Sequence, residues 1–152
     1  SCIGYPWASG LINTNGHFSF TTGTFKVKVC LPGAGPIDDW PSAWTDGQSW
    51  PKNGEIDLVE GLHGSGQAHV HDSNGSHGPW GHLTAGCHKL KYIRTPSTVT
   101  FFYDGVKQGA QSTAPFASSP HYLVCELAVS DSISPPAVAA QLHVDYVEVV
   151  AN

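Results

Sequence analysis

Methionine is missing from this chain, and charge is scarce: 152 residues hold only 7 Lys plus Arg against 12 Asp plus Glu. With a net charge of −5 there is no basic patch to neutralise phosphates, so no nucleic-acid partner is expected. No apolar run approaches the roughly 18 residues that span a bilayer as a helix, so no membrane partner is expected either. The four cysteines, Cys2, Cys30, Cys87 and Cys125, show no C-x-x-C spacing, which argues against a zinc site. Fully paired, they allow three connectivities, and spacing does not choose among these or between disulfides and buried thiols. A chain that opens at Ser1 without Met is expected to have lost a leader or the start of its domain. Long helical patterns are lacking too, apart from a turn or two around 135–140.

Glycine (17) and proline (11) are plentiful, which favours short strands joined by tight turns. The length fits one domain, 1–152, with a core of its own. Residues 9–30 alternate, with Phe18, Phe20, Phe25, Val27 and Val29 on one face and Lys26 and Lys28 on the other. A break at Thr21-Thr22-Gly23 makes this two strands or one bent strand. Further strands are predicted at 55–62, 67–72, 87–94, 97–103, 121–129 and 141–150. Asp104-Gly105 is a strong hairpin signal. Residues 32–39 and the Gly/Ser/His-rich stretch 73–86 read as loops. The predicted class is an all-β antiparallel sandwich. Asn74-Gly75-Ser76 is a glycosylation sequon on an expected loop, consistent with a secreted protein.

The densest chemistry lies in Glu55-Ile56-Asp57-Leu58-Val59-Glu60. In a regular strand Glu55 and Asp57 share a face, and Glu60 points the other way. One β-bulge at Leu58 or Val59 would return Glu60 to their side. Two carboxyls so placed come near the roughly 5–5.5 Å separation at which one acts as nucleophile and the other as acid/base on a glycosidic bond. A solvated acidic face is the bland alternative. Trp40, Trp44 and Trp50 upstream and a His-rich strand downstream favour the chemical one.

In this setting the segments 9–14, Trp40-Pro41-x-x-Trp44, Gly54 to Gly61, Phe102 to Gly105, Leu123 to Val129 and Val144 to Val149 resemble glycoside hydrolase family 16. The resemblance covers most of the chain, and E-x-D-x-x-E is typical of its laminarinase-like members. It implies a concanavalin-like jelly roll with a substrate cleft on its concave sheet, acting on β-1,3-glucan or mixed β-1,3-1,4-glucan. It also implies retention of configuration, with Glu55 as nucleophile, Glu60 as acid/base holding a proton near neutrality, and Asp57 between them. Trp40, Trp44 and Trp80 would stack on sugar rings, and Asn13 would add a polar contact. His69 and His71 fall on one strand face; they are expected to bond substrate, although the same pair could chelate a metal. No cofactor is expected for catalysis.

Family members usually begin with further N-terminal strands, so the resemblance implies that this chain lacks them and that a separate N-terminal segment would complete the sheet. That segment helps hold a structural calcium, for which Asp145 would be the ligand here. Arg94 and Cys87 stand where the family has aromatics. The alternative is a lectin-like carbohydrate binder of the same fold without turnover.

Overall fold

Alternation sets the strands. In Gly23–Leu31 every second side chain is buried, with Phe25, Val27 and Val29 fully inside. Each such burial stabilises the fold by about 1.5–3 kcal/mol. The intervening Lys26 and Lys28 point outward to Glu148 and Asp145 of the last strand. The computed structural model describes residues 7–129 and 139–152; Cys2 and most of the 135–140 segment lie outside them.

Eleven strands follow in chain order among the described residues: β1 Gly10–Asn13, β2 Gly23–Leu31, β3 Trp40–Asp46, β4 Glu55–Leu62, β5 Ser65–Asp72, β6 Gly75–Leu83, β7 Gly86–Arg94, β8 Thr98–Tyr103, β9 Val106–Ser112, β10 Tyr122–Ala128 and β11 His143–Ala151. They form two sheets, β1-β10-β3-β4-β5-β6 and β11-β2-β7-β8-β9, antiparallel throughout. This is the predicted sandwich. Phe20, Phe25, Tyr92, Phe101 and Trp80 make a chain of ring contacts within the core. Asp104 and Gly105 both take positive φ in the β8–β9 hairpin, as a type I′ turn demands. Cys30 and Cys87 face each other across β2 and β7 and form a disulfide; Cys125 is a buried free thiol whose pKa burial pushes up to about 11.

Two expectations need correction. Residues 73–86 are not a loop: β6 runs through them, pairing with β5 with two register shifts. Its Gly content hid the strand. The Phe18–Phe20 segment is not a strand, since only Phe20 forms a bridge, to His121, while Phe18 is exposed. Two strands were not predicted at all: Trp40–Asp46, formed despite Pro41, and Val106–Ser112, which polar residues concealed.

Candidate active site

The acidic strand carries a bulge where the sequence required one. Against β3, Asp57 pairs with Trp44 and Val59 with Ala43, leaving Leu58 as the extra residue. Against β5, Asp57 pairs with His69 and Glu60 with Gln67, so Leu58 and Val59 together face Ala68. Leu58 and Val59 both sink into the core, and Glu60 emerges beside Glu55 and Asp57. A bulge leaves a backbone group without a ladder partner. Here the Leu58 carbonyl accepts a 2.9 Å hydrogen bond from the Tyr103 hydroxyl, which crosses from the other sheet. Gly81 makes room for that ring, because a Cβ there would meet Tyr103 Cε2 at 2.4 Å.

The start of the strand is fixed from behind. Gly54 takes φ +78°, and a Cβ on it would strike the Phe116 ring at 2.4 Å. His121 Nε2 lies 2.8 Å from the Asn53 carbonyl, and Nδ1 lies 3.3 Å from the Thr45 hydroxyl. A carbonyl only accepts, so Nε2 carries the hydrogen. Burial, then the nearby Arg94 charge, pushes His121 down to about 3 and keeps the ring neutral. Thr45 therefore donates to Nδ1 and accepts from Tyr92, 2.8 Å away. Arg94 is wholly buried, with Nη2 donating to the Phe116 and Ser119 carbonyls at 2.8 and 3.0 Å and the guanidinium 5.1 Å above the Phe116 ring. That explains an arginine at an interior position: it clamps the segment on which Asn53 and Gly54 rest.

The outward face of β4 forms the floor of a cavity of about 200 Å³, lined by Trp40, Ser42, Trp44, Glu55, Asp57, Glu60, Glu126 and Ala128. Trp40 Nε1 donates to Glu60 Oε1 at 3.3 Å, and His69 Nδ1 lies 2.9 Å from Glu60 Oε2. His71 Nε2 lies 3.2 Å from Asp57 Oδ2 and 3.7 Å from Glu55 Oε1. Burial, then the Asp57 charge, raises Glu55 to about 8, with His71 opposing. Asp57, only 2% exposed, is pushed well above the usual carboxylate range by burial and then by Glu60. A Glu55–Asp57 hydrogen bond joins the two. The pair therefore keeps a proton at neutral pH. A larger hollow of about 600 Å³ lies beside β1 and residues 139–144, with Asp39 and Glu126 as its lining acids.

Of the residues singled out from sequence, Glu55, Asp57, Glu60, Trp40, Trp44, His69 and His71 meet at this cleft. Asn13 shares the face but sits two strands from β3, on β1, opposite Val124 of β10. Trp50 is exposed in the β3–β4 turn. Trp80 is a correction: it pairs with Ala68 on the inward face and stacks on Phe101, 5.6 Å between rings, so it packs, half-buried, against the core. Glu126 was missed. Its signal was a lone acid at an alternate position of an otherwise apolar strand, opposite in facing to Leu123 and Cys125.

The metal expectations separate. Glu55, Asp57 and His71, and likewise Asp57, Glu60 and His69, place donor atoms within 4.8 Å of one another. The Asp145 carboxylate pairs with the Lys28 ammonium at 2.6 Å, and it joins no cluster of acidic or imidazole donors among the described residues.

The cleft sheet of this β-sandwich carries three carboxylates beside the indoles of Trp40 and Trp44. The chain belongs to glycoside hydrolase family 16, for residues 14–93 match that family's XgeA-like catalytic domain. It is 29% identical over 165 residues to the endo-1,3-1,4-beta-glycanase EglC of Rhizobium meliloti, covering 95% of this chain and 34% of that protein. A probable endo-1,3(4)-beta-glucanase of Aspergillus clavatus is 36% identical over 75 residues, 44% of this chain and 12% of the relative. The chain thus spans about a third or less of the curated relatives it matches. Among solved structures, the laminarinase of Rhodothermus marinus superposes with a TM-score of 0.78 at 25% identity, covering 93% of this chain and 70% of that one. The laminarinase catalytic domain of Thermotoga maritima gives 0.77 at 21%, covering 93% and 68%. Both share its fold. Among the described residues no helix is long and apolar enough to cross a membrane.

Proposed function

We propose that this cleft hydrolyses internal linkages of β-1,3-glucan, or of mixed β-1,3-1,4-glucan, with retention of configuration. The observation that carries the reading is the Leu58 bulge, which turns Glu60 to the same face as Glu55 and Asp57. Glu55 attacks the anomeric carbon while Glu60 gives its proton to the departing glycosidic oxygen; the C–O bond to the leaving sugar breaks as the bond to Glu55 forms. Glu60, now a carboxylate, takes a proton from water, and that water displaces Glu55 from the same carbon. Asp57 keeps Glu55 oriented through their hydrogen bond. His69 holds Glu60, and Trp40 and Trp44 offer apolar faces to pyranose rings. Asn13 reaches sugar further along the groove. No step requires a cofactor. The names of the relatives favour β-glucan as substrate. An exported protein fits the Cys30–Cys87 disulfide and the exposed Asn74.

The test is release of reducing ends from laminarin and mixed-linkage glucan, with proton NMR of the first anomer formed. The β-anomer should appear first, and Glu55→Gln should abolish release. First appearance of the α-anomer would overturn retention. Tight binding of glucan without any release would favour the lectin-like alternative.

A further inference from the structure

Charge is sorted between the two sheets. The strands of the cleft sheet hold Asp46, Glu55, Asp57, Glu60, Asp72 and Glu126, and no lysine or arginine. The opposite sheet holds Lys26, Lys28, Lys89, Lys91, Arg94 and Lys107, with only Asp145 and Glu148 as acids. The seventh cation, Lys52, lies in the exposed β3–β4 turn. The groups near the carboxylates that could become cationic are therefore His69 and His71. Asp57 Oδ2 is buried and lacks a hydrogen-bond donor. Glu126 adds a fourth carboxylate to the wall, on β10, facing Glu60 and held against the Trp44 indole.

Catalysis as proposed above employs Glu55, Asp57 and Glu60 but leaves Glu126 without a chemical task. From this arrangement we infer that the cleft selects glycans by charge, with Glu126 as a specificity-determining residue: it admits uncharged glucans and rejects chains bearing carboxylate or sulfate near the scissile bond. Several like charges in one low-dielectric cleft, with no cation among its lining residues, repel an anionic sugar as it enters and leave it unpaired once bound. The Glu126 carboxylate accepts hydrogen bonds from neutral sugar hydroxyls, so the same group favours one class while excluding the other.

The inference rests on the glucan-cleaving role of the cleft, and the experiment keeps the two apart. Soluble β-1,3-glucan would be derivatised to equal degree with neutral hydroxyethyl or anionic carboxymethyl groups, of similar bulk. At about 20 mM salt, kcat/KM should be at least ~10-fold lower for the carboxymethyl form. The gap should close to about threefold or less at 1 M salt, where the screening length falls to about 3 Å. Glu126→Gln should narrow it by about threefold at low salt, whereas Lys91→Gln, on the outer face of the other sheet, should leave it unchanged. Equal rates for the two derivatives, or a gap insensitive to salt and to Glu126→Gln, would overturn the inference. Failure to cleave even unmodified glucan would count against the proposed activity instead. Charge selection would then be read from calorimetric binding of the two derivatives to the wild-type chain, where equal affinity would refute it.

Discussion

Tyr103→Phe tests the device that makes the site. The substitution keeps the ring against Gly81 and removes one oxygen, the partner of the Leu58 carbonyl. Leu58 is fully buried, so no bulk water replaces the lost donor. An unsatisfied buried carbonyl costs about 1–3 kcal/mol. For a chain of this length that lowers Tm by roughly 4–8 °C at a central value of about 2 kcal/mol. The bulge is where the penalty falls, and relaxing it shifts Glu60 relative to Glu55. Displacement of a catalytic group by about 1 Å costs on the order of 100-fold. A partial shift should lower kcat by about 10-fold or more with KM little changed. Val27→Ala, a core deletion on β2 two strands from Tyr103, supplies a comparably destabilised control expected to keep kcat at 25 °C. Melting and steady-state kinetics on the two variants decide the matter. If Tyr103→Phe loses stability yet turns over like Val27→Ala, the bulge holds its shape without the hydroxyl and the reasoning is wrong.

Stability should also depend on pH through the Glu55–Asp57 pair. Both carboxyls are raised in the folded state, so between the unfolded value near 4.5 and about 8 the native protein binds more protons than the unfolded chain. Their contribution is full below that window and is lost as pH rises through it; a melting series should fall across it, and Glu55→Gln should flatten the slope. Trp80→Ala should destabilise by about 3 kcal/mol while leaving KM for glucan unchanged, whereas Trp44→Ala should raise KM with little loss of Tm. Reducing the Cys30–Cys87 bond, which closes a loop of 57 residues, should lower stability by up to about 4 kcal/mol on the chain-entropy account; an unchanged melt under reductant would contradict it.

The sandwich was legible because period-two burial is written plainly into β2, β5, β8 and the second half of β7. What escaped was backbone without that signature. β6 pairs through two irregularities and consists largely of Gly, Ser and His, so nothing in its composition distinguishes it from a loop. Its placement comes from Trp80 docking on Phe101 beneath Gly109, where a Cβ would meet the indole at 2.2 Å. That contact spans sheets and has no local trace. Trp80 was for the same reason assigned to the wrong face: an indole suits a sugar platform or a core equally well, and two register shifts sit between it and the β5 strand that would have fixed its direction.

The bulge shows the opposite relation between sequence and site. It was predictable because three acids at that spacing make sense together only if one residue drops out of the ladder. Its support was not predictable, since Tyr103 lies 45 residues away, on the other sheet. Function here depends on both layers at once. The cleft sheet supplies the carboxylates and, with no lysine or arginine on its strands, lets burial and neighbouring acids raise the proton affinity of Glu55 and Asp57. The opposite sheet supplies the hydroxyl that shapes the strand and the buried Arg94 that braces the turn before Glu55. Moving a lysine into the cleft sheet at Ser42, beside Glu60 on the neighbouring strand, should therefore lower the proton affinity of Glu55 and Asp57 together. The pH optimum of kcat would move to lower values, since Ser42, though only 5% exposed, lines the cleft cavity and not the apolar core cluster.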